Sequence, residues 1–264
     1  MGSYYYGNPD NSGTWEQAAS IFAGHDSVNS EMTSSLALVQ FWKHIKPRAE
    51  QFEKTCGLVP GELCADESSF CFEYPVPVSK NSGGKGKPSM TDLMIITERH
   101  AIAVEAKWTE CKEPYQLVCK WKKDDNANRK KVLEGWLEYI EDCGYSVNHE
   151  KIDNVAYQFL HRIASACYVA KQKTKAPKVV YHLFYHDQNA RKKVETFAEN
   201  LKDQYVNLFN GEGTPLHIIE SEVEIVLPPG MKEISKRDKK IWNELFVRMQ
   251  KKNVYKIRSL KVVK

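Results

Sequence analysis

The sequence has no run of 18 apolar residues, the length a bilayer-crossing helix needs, so no membrane span is expected. Its opening residues, Met1-Gly2-Ser3 and three tyrosines, lack the basic and apolar stretches of a secretory leader. Seven cysteines are an odd number, and no two stand as Cys-x-x-Cys. This argues against a structural zinc site and for reduced thiols in the cytoplasm. No internal repeat or low-complexity run is visible. The 264 residues, 42% hydrophobic and 27% charged, describe a globular chain with one large domain, or one domain and appendages.

What is present is unevenly charged. Residues 231–264 hold twelve Lys or Arg against three acids, a balance of +9, within a whole-chain charge of +4. The remainder is therefore −5. A basic segment of this kind suits a polyanionic partner, and equally a solvated helix face with a tail.

Periodicity orders the chain. Residues 1–30, rich in Gly, Ser, Asn and Tyr, read as an irregular arm. Residues 33–56 read as a helix with Leu38, Phe41, Trp42, Ile45, Ala49, Phe52 and Cys56 on one stripe, broken or kinked at Pro47. A strand over 69–78 carries Glu73, and Pro75 and Pro77 confine its end to an edge. Residues 79–88 form a loop whose glycines and lysines, Lys85 and Lys87 among them, can touch a backbone phosphate. It is not a phosphate-binding P-loop, because Gly-x-x-x-x-Gly-Lys-Ser/Thr is absent. Helices over 130–142 and 153–172, the second capped by Asp153 or Asn154, precede a strand over 178–186. A helix over 190–209, a strand over 216–227 and a helix over 232–250 complete an order that suits a mixed α/β sheet flanked by helices.

The chemistry concentrates in one hairpin. Asp92–Thr97 and Ile102–Lys107 are strand-like runs joined by Glu98-Arg99-His100-Ala101. A tip at Arg99-His100 sets Asp92 opposite Lys107 and Met94 opposite Glu105. Alternation then gathers Asp92, Met94, Ile96, Ala103, Glu105 and Lys107 on one face. Leu93, Ile95, Thr97, Ile102, Val104 and Ala106 take the other. Two adjacent carboxylates repel, and a hard divalent cation relieves that conflict. A neighbouring lysine can then hold water or meet charge growing on a phosphate. The same residues also fit a structural ion pair at the sheet rim.

An acidic residue on one strand and Glu-x-Lys on the next resembles the signature of the PD-(D/E)XK, or restriction-endonuclease-like, nuclease superfamily. Thr91 stands where that signature has proline. The resemblance spans roughly residues 34–187 as a pattern of elements. It implies a restriction-endonuclease-like core over 31–187, with 188–264 as a C-terminal α/β extension. It implies Asp92 and Glu105 as ligands of magnesium, or manganese in its place, with Lys107 catalytic. A first-helix glutamate, Glu53, would join the metal shell, as would Glu73 if it turns towards the hairpin. On the later helix, Gln158 would orient a metal-bound water and Arg162 a phosphate. His161 reads as a surface residue. The implied activity is phosphodiester hydrolysis, in DNA before RNA, with restriction, phage defence or repair as settings. A non-cleaving nucleic-acid-binding protein and a protein-interaction domain are the rival readings, and a homodimer or partner subunit stays open.

Overall fold

Runs of β-branched and aromatic residues at period two pair into one mixed sheet. The computed structural model describes residues 2–9, 13–23, 34–43, 45–79, 83–108, 111, 116–122, 126–226 and 255–263. Among them seven strands stand in chain order: β1 (Ser3–Tyr6), β2 (Ser69–Val76), β3 (Ser89–Ile96), β4 (His100–Lys107), β5 (Ala176–Tyr185), β6 (Leu216–Ile225) and β7 (Tyr255–Val263). The β2–β3–β4 meander is antiparallel, β4, β5 and β6 run parallel, β1 joins β2 in parallel, and β7 closes antiparallel on β6. The parallel pairings need crossovers, and helices supply them. The described helices are α1 (Trp15–Ala23), α2 (Ser34–Lys43), α3 (Ala49–Cys56), α4 (Val118–Lys122), α5 (Ala127–Glu141), α6 (Tyr157–Lys173) and α7 (Gln188–Leu208). None of them is long and apolar enough to cross a membrane.

The sheet separates two cores, as strand alternation requires. Met94 and Ala103 pack with Trp136 of α5, Phe159 and Ile163 of α6, and Phe197 of α7. Leu93, Ile95, Ile102, Val104 and Ala106 point the other way, onto Phe41 and Trp42 of α2 and Phe52 of α3. Trp42 meets the Phe52 ring edge-on at 4.8 Å. The expected helical stripe from Leu38 to Cys56 is buried throughout. Its expected break occurs at a 3-10 turn, Lys46–Arg48, which contains Pro47 and rotates α3 away from α2. Beyond Phe72 no described strand covers the outer side of β2. Pro75 thus falls where its missing N–H costs no ladder bond.

Several boundaries differ from the sequence reading. The arm over 1–30 is not irregular where described, since it contributes β1 and α1. The extension expected over 188–264 contributes β6 and β7, which continue the same sheet from β5. The basic tail includes a strand, β7, which the sequence reading misses. Residues 232–250, read as a basic helix, lie outside the described residues. Asp153 and Asn154 sit in a 3-10 turn, not at a helix cap. The chain there is drawn into pairing first: Val118 N–H donates to Val155 O, and Tyr157 N–H donates to Gln116 O. Ala156 N–H donates to Gln204 Oε1 at 3.0 Å, and α6 starts only after that.

One buried acid closes the far end of the hairpin layer. Glu53 on α3 is 2% exposed. Its carboxylate accepts from Gly61 N–H at 2.8 Å and Leu63 N–H at 2.7 Å. These bonds hold Glu62 against the hairpin tip, where it meets Thr97 Oγ1 and lies 2.7 Å from His100 Nδ1. Removing the Glu53 acceptor strands two amides. Glu53→Ala is expected to lower unfolding free energy by about 2–3 kcal/mol, read from urea denaturation. A stability equal to wild type would contradict this role.

Candidate active site

The β3–β4 ladder pairs Ile96 with Ala101, Ile95 with Ile102, Met94 with Ala103 and Leu93 with Val104. The tip is therefore Glu98-Arg99, not Arg99-His100. Thr97 closes it, donating its N–H to His100 O at 2.9 Å and accepting from His100 N–H at Oγ1. Relative to the expected register the strands slide by two residues, which brings Asp92 level with Glu105 instead of Lys107. An even slide leaves every side chain on its face, so the convergence of Asp92, Glu105 and Lys107 survives the correction.

At the open end side chains replace the ladder. Asp92 Oδ2 accepts from Ala106 N–H at 2.8 Å. Glu105 Oε1 lies 2.7 Å from Lys107 Nζ, and its Oε2 meets Arg162 Nη2 in a close ion pair. The same Nη2 donates to Met90 O at 3.0 Å. Lys107 is 14% exposed and Arg162 only 2%, so the lysine stands at the mouth and the guanidinium at the floor. Tyr181 of β5 is the Cα partner of Glu105 and is buried on the same face.

Glu73 completes the group. It interrupts β2 at the point opposite Asp92, with φ 50°, in the left-handed region that a glutamate rarely occupies. Strain of this kind persists only where surrounding structure imposes it, commonly at functional sites. The field around its carboxyl comes from Arg162 and Glu105, which places it beside the cluster.

Three carboxyls thus face two cations. Burial would raise the pKa of Glu105, but Arg162 and Lys107 outweigh it and hold this carboxyl well below the usual carboxylate range. The pKa of Asp92 is pushed up to about 7 by burial and then by the Glu105 charge. That of Glu73 is also raised to about 7, chiefly by burial. Arg162 stays charged, because Glu105 and Asp92 more than offset its desolvation. Burial is thus the largest cause of the raised values of Asp92 and Glu73, and it acts against their charged forms.

A divalent cation would favour the ionised forms of such carboxyls. Among the described residues no set of three or more His, Cys, Asp or Glu side chains is arranged as a metal cage. Magnesium does not need one; one or two carboxylates with water and substrate phosphate are its usual shell. Asp92 and Glu105 would hold it, and Glu73 does not complete a three-acid set with them among the described residues.

Other expected residues fall as follows. Glu53 is not in the shell: both its oxygens serve backbone amides at the tip end of the hairpin. Five strand residues, about 17 Å at ~3.4 Å each, separate His100 at that end from Glu105. Gln158 is half-buried on α6, one turn before Arg162 and on the same side of the helix, without a hydrogen bond to the carboxylates. Arg162 is inside the cluster, engaged by Glu105, rather than on an outer face. Lys85 and Lys87 are exposed, and the Lys85 backbone is clasped by the Asn128 side chain at the start of α5. His161 is not a surface residue. It lies 2.9 Å from Ser89 Oγ and packs 5.4 Å from the Trp136 ring, and its pKa is driven down to about 3 by burial and then Arg162. Sequence reasoning misses Tyr181, which no local pattern marks. A cavity of about 760 Å³, lined by Lys54, Lys202 and His217, opens where β6 begins, the opposite end of the parallel strands.

The profile of one family, described as a domain of unknown function, DUF6946, matches residues 11–224, and the chain belongs to that family. No curated protein and no solved structure matches it.

The raised carboxyls have a signed consequence. A group whose folded pKa lies above its unfolded value contributes stability below the unfolded pKa, and loses it as pH rises through the folded one. Without divalent cations, wild type should therefore lose stability relative to Asp92→Asn between pH 5 and pH 8. Urea midpoints at both values measure it. A constant difference between the two proteins would refute the raised Asp92.

Proposed function

We propose that this DUF6946 member is a magnesium-dependent nuclease that hydrolyses phosphodiester bonds, in DNA before RNA. The observation that carries this reading is the meeting of Asp92, Glu105 and Lys107 at the carboxyl end of β4, on one face of the sheet. Crevices beyond the carboxyl ends of strands are where α/β sheets commonly bind ligands. The likeness of these residues to the PD-(D/E)XK signature, and of the mixed sheet to its fold class, supports the same reading.

Magnesium, or manganese in its place, supplies a charge that polarises the scissile phosphate and the attacking water. The chain's residues do the rest. Asp92 and Glu105 would hold the cation. Arg162 keeps Glu105 ionised and oriented from below. Its Nε and Nη1 are buried without partners among the described residues, leaving donors for an anion. Lys107, at the mouth, positions the water or meets charge growing on the phosphate during in-line displacement. Lys85, Lys87, Lys120 and Lys130 are exposed around the loop before β3 and the start of α5, a surface suited to a phosphate backbone. Trp121 does not offer a stacking platform: Tyr157 lies parallel to it at 5.6 Å, and Arg129 lies 5.4 Å from the ring centroid. All seven cysteines are free, which suits a reducing cytoplasm. Restriction, phage defence and repair are settings in which such chemistry serves.

One observation favours a second reading, nucleic-acid binding without cleavage. Both oxygens of Glu105 are already paired with Lys107 and Arg162. Incubating linear, circular and single-stranded DNA with the protein, with and without magnesium, separates the two. Cleavage is expected only with magnesium, reduced about 100-fold or more by Lys107→Ala and by Asp92→Ala. Intact substrates bound with a steep salt dependence would establish the non-cleaving reading instead. In a thermal melt, magnesium should raise the midpoint of wild type more at pH 8 than at pH 6, since Asp92 must lose its proton to bind. Asp92→Asn should abolish that rise; an undiminished rise would remove Asp92 from the cation site.

A further inference from the structure

Two cysteines meet where the chain leaving α5 passes α6. Cys143 lies just beyond the end of α5, and Cys167 lies on α6, five residues after Arg162. Cys143 Sγ donates to Cys167 O at 3.3 Å. Each of the two thiols shifts the other's pKa. Their surroundings differ. Cys143 is half-buried and lines an open cavity of about 440 Å³ with Lys171 and Lys175. Lys171 is held there by donating to Asp142 O at 2.9 Å. Cys167 is fully buried, with its Sγ 3.3 Å from Thr214 Oγ1.

We propose that Cys143 and Cys167 are a reversible disulfide site, in which Cys143 reacts first with a hydroperoxide and Cys167 resolves the product. The asymmetry of the pair assigns the roles. The Cys167 thiol, and then Lys171, draw the Cys143 thiol below its ordinary pKa against the opposing effect of burial. Burial pushes Cys167 well above its own. A low-pKa, reachable thiol beside a neutral, sheltered one is the arrangement that oxidation of a cysteine pair requires. Cys56 and Cys71 are buried thiols raised to about 12, which disfavours them as first nucleophiles.

The chemistry balances without a cofactor. The Cys143 thiolate attacks one peroxide oxygen; an S–O bond forms, the O–O bond breaks, and hydroxide (or alkoxide) leaves and takes up a proton. The Cys167 sulfur then attacks the Cys143 sulfenic sulfur. An S–S bond forms, the S–O bond breaks, and water departs with the Cys167 proton. Two thiols are oxidised together by two electrons, the peroxide is reduced by two, and a dithiol reductant reverses the bond by exchange. The link would join the end of α5 to α6, the helix that carries Gln158, His161 and Arg162.

The experiment treats the full chain, in a Cys119→Ser background that removes the exposed thiol, with hydrogen peroxide. Thiols are then titrated in denaturant and peptides mapped without reduction. Two thiols should disappear and return with dithiothreitol, and the map should join the Cys143 and Cys167 peptides. Cys143→Ser should preserve the Cys167 thiol. Cys167→Ser should leave Cys143 as a sulfenic acid, trapped by a 1,3-dione reagent. A map that shows no 143–167 linkage, or joins another pair, overturns the proposal even if a serine variant fails to fold. Loss of the Cys167 thiol in Cys143→Ser at the wild-type rate overturns it as well.

Discussion

The pairing of Arg162 with Glu105 is the constraint on which the arrangement rests. It joins α6 to β4 across 57 positions of sequence, and the same guanidinium reaches the Met90 carbonyl at the start of β3. Neither charge is accessible enough to be stabilised by water alone. Losing one partner would leave the other buried and uncompensated, a defect of about 3–5 kcal/mol. The helix is therefore held at one height against the hairpin. That height sets where Gln158, His161 and Cys167 lie. It also bears on protonation, since Arg162 and Lys107 hold the Glu105 carboxyl low and oppose the rise at Asp92.

The two ends of the hairpin show how one residue type serves two purposes. At the tip, Glu53 and Glu62 bond backbone amides, Thr97 and His100. Those acceptors are matched by donors of the fold itself, and the result is a fixed turn. At the open end, Glu105 faces the side-chain cations Arg162 and Lys107, and its charge raises Asp92. There burial raises Asp92, while the buried Nε and Nη1 of Arg162 have no partner among the described residues. Burial alone does not separate the two ends, for Glu53 and Glu105 are both almost fully buried. The identity of the hydrogen-bond donors does.

Much of this was legible in residue order, because the signals are local. The stripe from Leu38 to Cys56, the break at Pro47 and the two faces of the hairpin each follow from a period or a ring that acts within a few residues. Signals that depend on distant partners were not legible. β1 is four residues long, Ser-Tyr-Tyr-Tyr, and is a strand because Phe70 and Phe72 lie beside it. β7 is written in basic residues and is recruited by the exposed edge of β6. The start of α6 slipped past Asp153 and Asn154 because the chain on either side was claimed by Gln116, Val118 and Gln204.

The sequence by itself determined that Asp92, Glu105 and Lys107 share a face, since parity along a strand is set by backbone geometry and survives an even slip in register. It did not determine what faces them. The tip register turned on Thr97 and its neighbour Glu62, 35 positions away. The burial of Arg162, the left-handed turn at Glu73 and the presence of Tyr181 beside Glu105 were decided by the packing of α6, β2 and β5 around the hairpin. Charges in a buried site take their state from neighbours in space, through desolvation and Coulomb forces that act across a few ångströms. Only the folded sheet brought those neighbours together.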